Sequence, residues 1–135
     1  MKIISTIIIL LLSQTLMANE QSKGQQLFTK NCASCHGSAG GMSMSKRVAP
    51  PVVAVKMHYI KTYSDKDSFI AAVTDWVKNP EKENSLMRGA INRFGLMPII
   101  KVKEDDVEAI AGYIYDTKLS STKKFNKHFE KHHGK

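Results

Sequence analysis

Apolar residues recur along this chain at helical spacing, and nowhere do they alternate as a strand would require. The clearest case lies between 64 and 78, where Phe69, Val73, Trp76 and Val77 fall at i, i+4, i+7 and i+8. Ser64 with Asp67 resembles a capping box at its start, and Asn79-Pro80 supplies the stop. A second stripe, Val107, Ile110, Ala111 and Ile114, predicts a helix over 104–117, with Glu104, Asp105 and Asp106 suited to its first turn. A third helix is predicted over 19–31. Asn19 can cap it, Glu20 favours its N-terminal dipole, and Leu27 and Phe28 form its apolar side. Gly24 interrupts that helix at a cost of about 1 kcal/mol, which points to a close packing contact. A shorter helix is expected over 84–92, ending before Phe94-Gly95. The segment 37–46 reads as a Gly/Ser loop, Ala49-Pro50-Pro51 as a rigid extended stretch, and 52–63 carries no clear assignment. The pattern predicts an all-α fold.

The ends change the picture. Residues 1–18 have the form of a secretory signal: Lys2, then an apolar run from Ile3 to Leu12, then polar residues before Ala18. The run is short for a membrane span, which needs about 20 residues, but Leu16 is a poor residue near the cut. An uncleaved N-terminal anchor therefore stays open. The remaining chain is one small domain with a thin core. Its charge is uneven. Residues 19–117 carry 13 basic and 11 acidic side chains, whereas 118–135 carry six lysines against Glu130 alone. A nearly neutral domain, 19–117, is followed by a basic, flexible tail, 118–135.

Both cysteines of the chain fall in Cys32-Ala33-Ser34-Cys35-His36, the Cys-x-x-Cys-His spacing of a c-type haem attachment site. On one helical turn the two thiols reach the two vinyl groups of one porphyrin, and the adjacent His36 offers an imidazole to iron. A structural disulfide, a redox dithiol and half of a zinc site are the competing readings. Export agrees with the haem reading, because bacteria attach haem to thiols outside the cytoplasm.

Gly24, Phe28, Cys32-Ala33-Ser34-Cys35-His36-Gly37, Gly95-Leu96-Met97-Pro98 and Val107, Ile110, Tyr113 and Ile114 occur in this order. In that order they resemble a class I c-type cytochrome of the monohaem, bacterial periplasmic type. The resemblance implies about four to five short helices around one covalently attached haem, with Gly24 of the first helix against Tyr113 of the last. It implies Cys32 and Cys35 as the attachment, and His36 and Met97 as the iron ligands. A carbonyl of Pro50 or Pro51 would meet the His36 ring. Among the other methionines, Met87 ranks as core or surface, Met42 and Met44 as loop filler, and Met57 as packing. His58 ranks second to Met97 as a sixth ligand. Trp76 belongs to the core or donates to a haem propionate, and Arg88 and Arg93 are read as solvated.

The implied function is a periplasmic one-electron carrier rather than an enzyme, working with respiratory complexes or periplasmic reductases and oxidases. The alternative is a haem-based gas sensor or peroxidase-like enzyme with a labile sixth ligand. A thiol–disulfide oxidoreductase using Cys32 and Cys35 ranks third, for want of a preceding strand. The basic tail suits docking on an acidic partner or membrane surface, with adventitious metal binding by its histidines ranked lower. Nucleic acid is excluded as a partner of an exported haem protein.

Overall fold

The computed structural model describes residues 23–37, 47–119, 121 and 123–133, without the side chains at 124, 132 and 133. The signal, the Asn19 cap and most of the Gly/Ser loop, with Met42 and Met44, lie outside the described residues. Within them every regular element is a helix. Their order is α1 (described over 23–31), α2 (Ala33–His36), α3 (Val52–Thr62), α4 (Lys66–Lys78), a 3-10 turn (Lys82–Asn84), α5 (Arg88–Phe94), α6 (Glu104–Asp116) and α7 (Lys123–His133).

The centre of the fold is an antiparallel pair, α4 against α6. Phe69 and Val73 of one meet Ile110, Ala111 and Ile114 of the other, all buried, and Val107 of α6 is buried as well. Lys66 pairs with Asp116 at 2.7 Å at one end, and Lys78 with Glu104 at 2.9 Å at the other. Such exposed pairs fix register more than they stabilise. Helix α1 crosses α6 where Gly24 stands: a Cβ there would collide with the Ala109 carbonyl and lie 2.7 Å from Tyr113 Cβ. The Phe28 and Tyr113 rings meet at 5.9 Å in the same crossing. The missing side chain lets two helices touch backbone to backbone, which is why a poor helix former sits there.

Helix α3 is the element that the pattern did not announce. Its start follows Pro50-Pro51, and Pro51 is extended at the N-cap with its carbonyl accepting from Ala54 and Val55. Val52, Val53 and Val55 are weak helix formers, but burial of Val52, Ala54 and Tyr59 overrides propensity. Lys56 then ties α3 to α6, donating to the carbonyls of Tyr115 at 2.5 Å and Thr117 at 2.7 Å. Those carbonyls close a helix end that offers no partner of its own.

The capping box expected at Ser64 is displaced by one residue. Asp65 is the N-cap of α4, and its carboxylate accepts from the Ser68 N–H at 2.9 Å and from the Ser68 hydroxyl. These bonds hold the Asp65 carboxyl below its usual pKa. The helix expected over 84–92 begins later, at Arg88, because Glu81 collects the side chains of Asn79 and Asn84 at 2.8 Å each around the 3-10 turn. Gly95, with φ of +83°, ends α5. The tail, expected to be flexible, carries α7, whose Phe125 and Phe129 rings stack at 6.3 Å.

Candidate functional site

The Cys-x-x-Cys-His residues lie on one helical turn. Cys32 N–H closes α1 on the Phe28 carbonyl at 2.8 Å, and His36 N–H reaches back to the Cys32 carbonyl at 2.9 Å. Gly37, at φ +71°, then turns the chain away. Cys32 is half-buried, Cys35 is exposed, and no disulfide joins them. Burial, aided by Cys35, pushes the Cys32 thiol up to about 11. A redox dithiol works through a thiolate whose pKa is lowered, so this environment disfavours that chemistry.

The His36 ring is held from behind. Its Nδ1 donates to the Pro50 carbonyl at 2.7 Å, which assigns the supporting role to Pro50 rather than Pro51. Burial lowers the His36 pKa, and the Pro50 bond only partly opposes it. The ring is therefore neutral, with Nδ1 occupied and Nε2 left as a ligand atom.

Cys32, Cys35, His36 and Met97 all line one cavity of about 1300 Å³, counting its open mouth. Its floor is Val73, Trp76 and Val77 of α4 with Val107, Ile110 and Ile114 of α6, and Phe28 of α1 closes one side. Val52, Val55 and Tyr59 of α3 form another side, and the segment after Gly95 supplies Leu96, Met97, Pro98 and Ile100. Among the described residues no charged side chain lines it. Tyr59 is 6% exposed, and burial first, with Tyr63 and Asp75 adding, pushes its phenol pKa up, so the wall stays neutral.

The lining is mostly apolar and includes an imidazole and a thioether, so it would suit a flat apolar macrocycle. Val48 and Leu96 border the cavity yet are 65% and 47% exposed, apolar surface that a bound ring would cover. His58 does not line the cavity. It faces α7, edge-on to Phe129 at 5.1 Å. Met57 is also outside, while Met87 lines the wall. Trp76 packs against the core and lines the cavity. Arg88 and Arg93 are exposed and off the wall, and Arg93 lies over the Phe94 ring at 5.2 Å.

Two polar wall residues escaped the sequence reading. Ser85 is 8% exposed and its hydroxyl accepts from the Met87 N–H at 3.0 Å. Asn31 donates to the Leu27 carbonyl at 2.9 Å. Neither stands in a motif.

The family model described as Cytochrome c matches residues 21–118. Among curated proteins, the chain is 29% identical over 106 residues to Photosystem II extrinsic protein V of a Cyanothece species, covering 74% of this chain and 62% of that protein. It is 30% identical over 105 residues to the protein of the same name from Limnospira maxima, covering 73% of this chain and 77% of that protein. No solved structure gives a significant match.

Proposed function

Because the chain belongs to the cytochrome c family, a family of covalent haem proteins, we propose that it is a monohaem one-electron carrier with His36 and Met97 as iron ligands. Cys32 and Cys35 would hold the haem as thioethers. The bound haem supplies a reversible one-electron couple, whose potential a thioether ligand raises. The chain's own part is positional. Pro50 orients His36, the uncharged walls exclude water, and the segment after Gly95 brings Met97 to the cavity. With His36 and Met97 both given to the iron, the protein would leave no site for a substrate, which would separate a carrier from a sensor or peroxidase.

The observation that carries this reading is the bond from His36 Nδ1 to the Pro50 carbonyl, 2.7 Å long, inside a cavity shared with Cys32, Cys35 and Met97. The setting we propose is the periplasm, after export by residues 1–18. Among the described residues no helix is long and apolar enough to cross a membrane. Photosystem II extrinsic protein V is, by its name, a peripheral subunit of a larger complex. A comparable transient seat on a respiratory complex, reductase or oxidase suits this chain, with the lysines beyond Lys118 meeting an acidic surface.

The test is ligand exclusion. The ferrous holoprotein should keep its spectrum under saturating carbon monoxide while exchanging electrons rapidly with soluble mediators. Prompt carbon monoxide binding would move the assignment to a sensor or peroxidase-like enzyme.

A further inference from the structure

Six lysines crowd residues 118–135, and the fold sets three of them in a row. Helix α7 carries Lys123, Lys127 and Lys131 at i, i+4 and i+8, a single stripe roughly 12 Å long. All three are exposed, and none is in an ion pair among the described residues. Phe125 and Phe129 stand about half a turn round the helix from that stripe. Both are half-buried and stacked on each other, and Phe129 meets His58 of α3 edge-on. Glu130 is the one acid of α7. His58 lies about a quarter-turn round α3 from Val52, Val55 and Tyr59, which line the cavity. The stripe is therefore no part of the cavity wall.

We propose that this stripe docks the protein on an anionic lipid bilayer, with α7 lying flat on the headgroups and not inserting. The proposal rests on the exported-carrier reading and names the membrane, rather than an acidic protein, as the surface these lysines meet. Two observations favour lipid. The stripe presents cations and no apolar side chain, because Phe129 is turned toward α3, whereas a protein interface centres on apolar and aromatic contacts. The exposed apolar residues Val48, Leu96 and Ile99 lie elsewhere, in and beside the cavity wall. The second is the charge itself, a row of flexible ammonium groups with no planar fork to read one fixed carboxylate. Such a row suits a fluid layer of negative headgroups, which rearranges to meet it. Each lysine held at that surface is worth roughly fivefold in partition.

The test sediments the ferric holoprotein with vesicles of phosphatidylcholine, alone or mixed with phosphatidylglycerol. Binding is expected to the mixed vesicles only, and it should vanish at about 1 M salt, where the screening length is about 3 Å. Lys123→Gln, Lys127→Gln and Lys131→Gln together should weaken it roughly a hundredfold. Arg88→Gln, Lys101→Gln and Lys103→Gln remove the same charge from another exposed segment and should weaken it less than about fivefold. The haem spectrum and exchange with soluble mediators should be unchanged in both variants. A failed carrier reading would show there, and a failed docking site only in the sedimentation. Equal loss in the two variants would reduce the effect to net charge and overturn the proposal. So would binding to phosphatidylcholine alone, no binding at all, or tighter capture by polyglutamate than by vesicles, which would return the stripe to an acidic protein.

Discussion

Replacing Gly24 by alanine should destabilise the fold by about 2 kcal/mol, although alanine is the better helix former. The new Cβ would collide with the Ala109 carbonyl oxygen and stand 2.7 Å from Tyr113 Cβ. Carbon atoms pack at about 3.5–4.0 Å, so α1 and α6 must separate by roughly 1 Å. Overpacking of this kind costs about 1–3 kcal/mol, and a helix backbone on one side of the clash puts it near the upper end. The helix preference of alanine returns about 1 kcal/mol. At about 4–8 °C per kcal/mol, the melting temperature should fall by about 8–16 °C. Gly112→Ala is the control. Its Cβ would meet only Ile70 Cδ1 at 3.6 Å and Lys66 Cε at 3.9 Å, ordinary contacts, so melting should rise by a few degrees. Thermal melts by far-ultraviolet circular dichroism, in one oxidation state, measure both. A Gly24→Ala protein melting at or above wild type would refute the close crossing of α1 and α6.

Three further substitutions probe other joints. Lys56→Met removes both bonds to the end of α6 and should cost about 2 kcal/mol, with faster amide exchange at Thr117; unchanged exchange there would contradict the tie. Thr74→Val should stabilise by about 1 kcal/mol in denaturant titration, because the Thr74 hydroxyl is buried with no partner among the described residues; a loss would mean that the hydroxyl is satisfied. Asp65→Ala should lower stability at neutral pH. The Asp65 pKa is depressed in the fold, so its contribution is present above the unfolded carboxyl pKa and fades as pH falls through the folded value. Melts of the two proteins should therefore converge in acid, and a pH-independent gap would show that the carboxylate is not the cap.

The Cys-x-x-Cys-His spacing and the α4 and α6 stripes were legible because each rests on local spacing; Gly24, a residue out of place, announced a close contact, and the family resemblance named Tyr113 as its partner. Helix α3 was not. It starts without a capping side chain, from two prolines and three valines, and exists because Val52, Ala54 and Tyr59 have somewhere to be buried. Asp65 hid behind Ser64, one residue away and equally able to cap. Ser85 and Asn31 became cavity walls only through contacts distant in the chain, which no local pattern encodes. For α7, Phe125 and Phe129 already stood at i, i+4, but two aromatics among lysines read as a solvated tail until His58 is seen against Phe129.

The central claim is that the cavity between α4, α6 and the segment after Gly95 is closed on iron by His36 and Met97. Its most direct test is the near-infrared spectrum of the ferric holoprotein, wild type beside Met97→Ala and Met87→Ala. The account predicts a methionine-to-iron charge-transfer band in wild type and Met87→Ala, lost in Met97→Ala. A band that survives the Met97 substitution, or is missing from wild type, would contradict it.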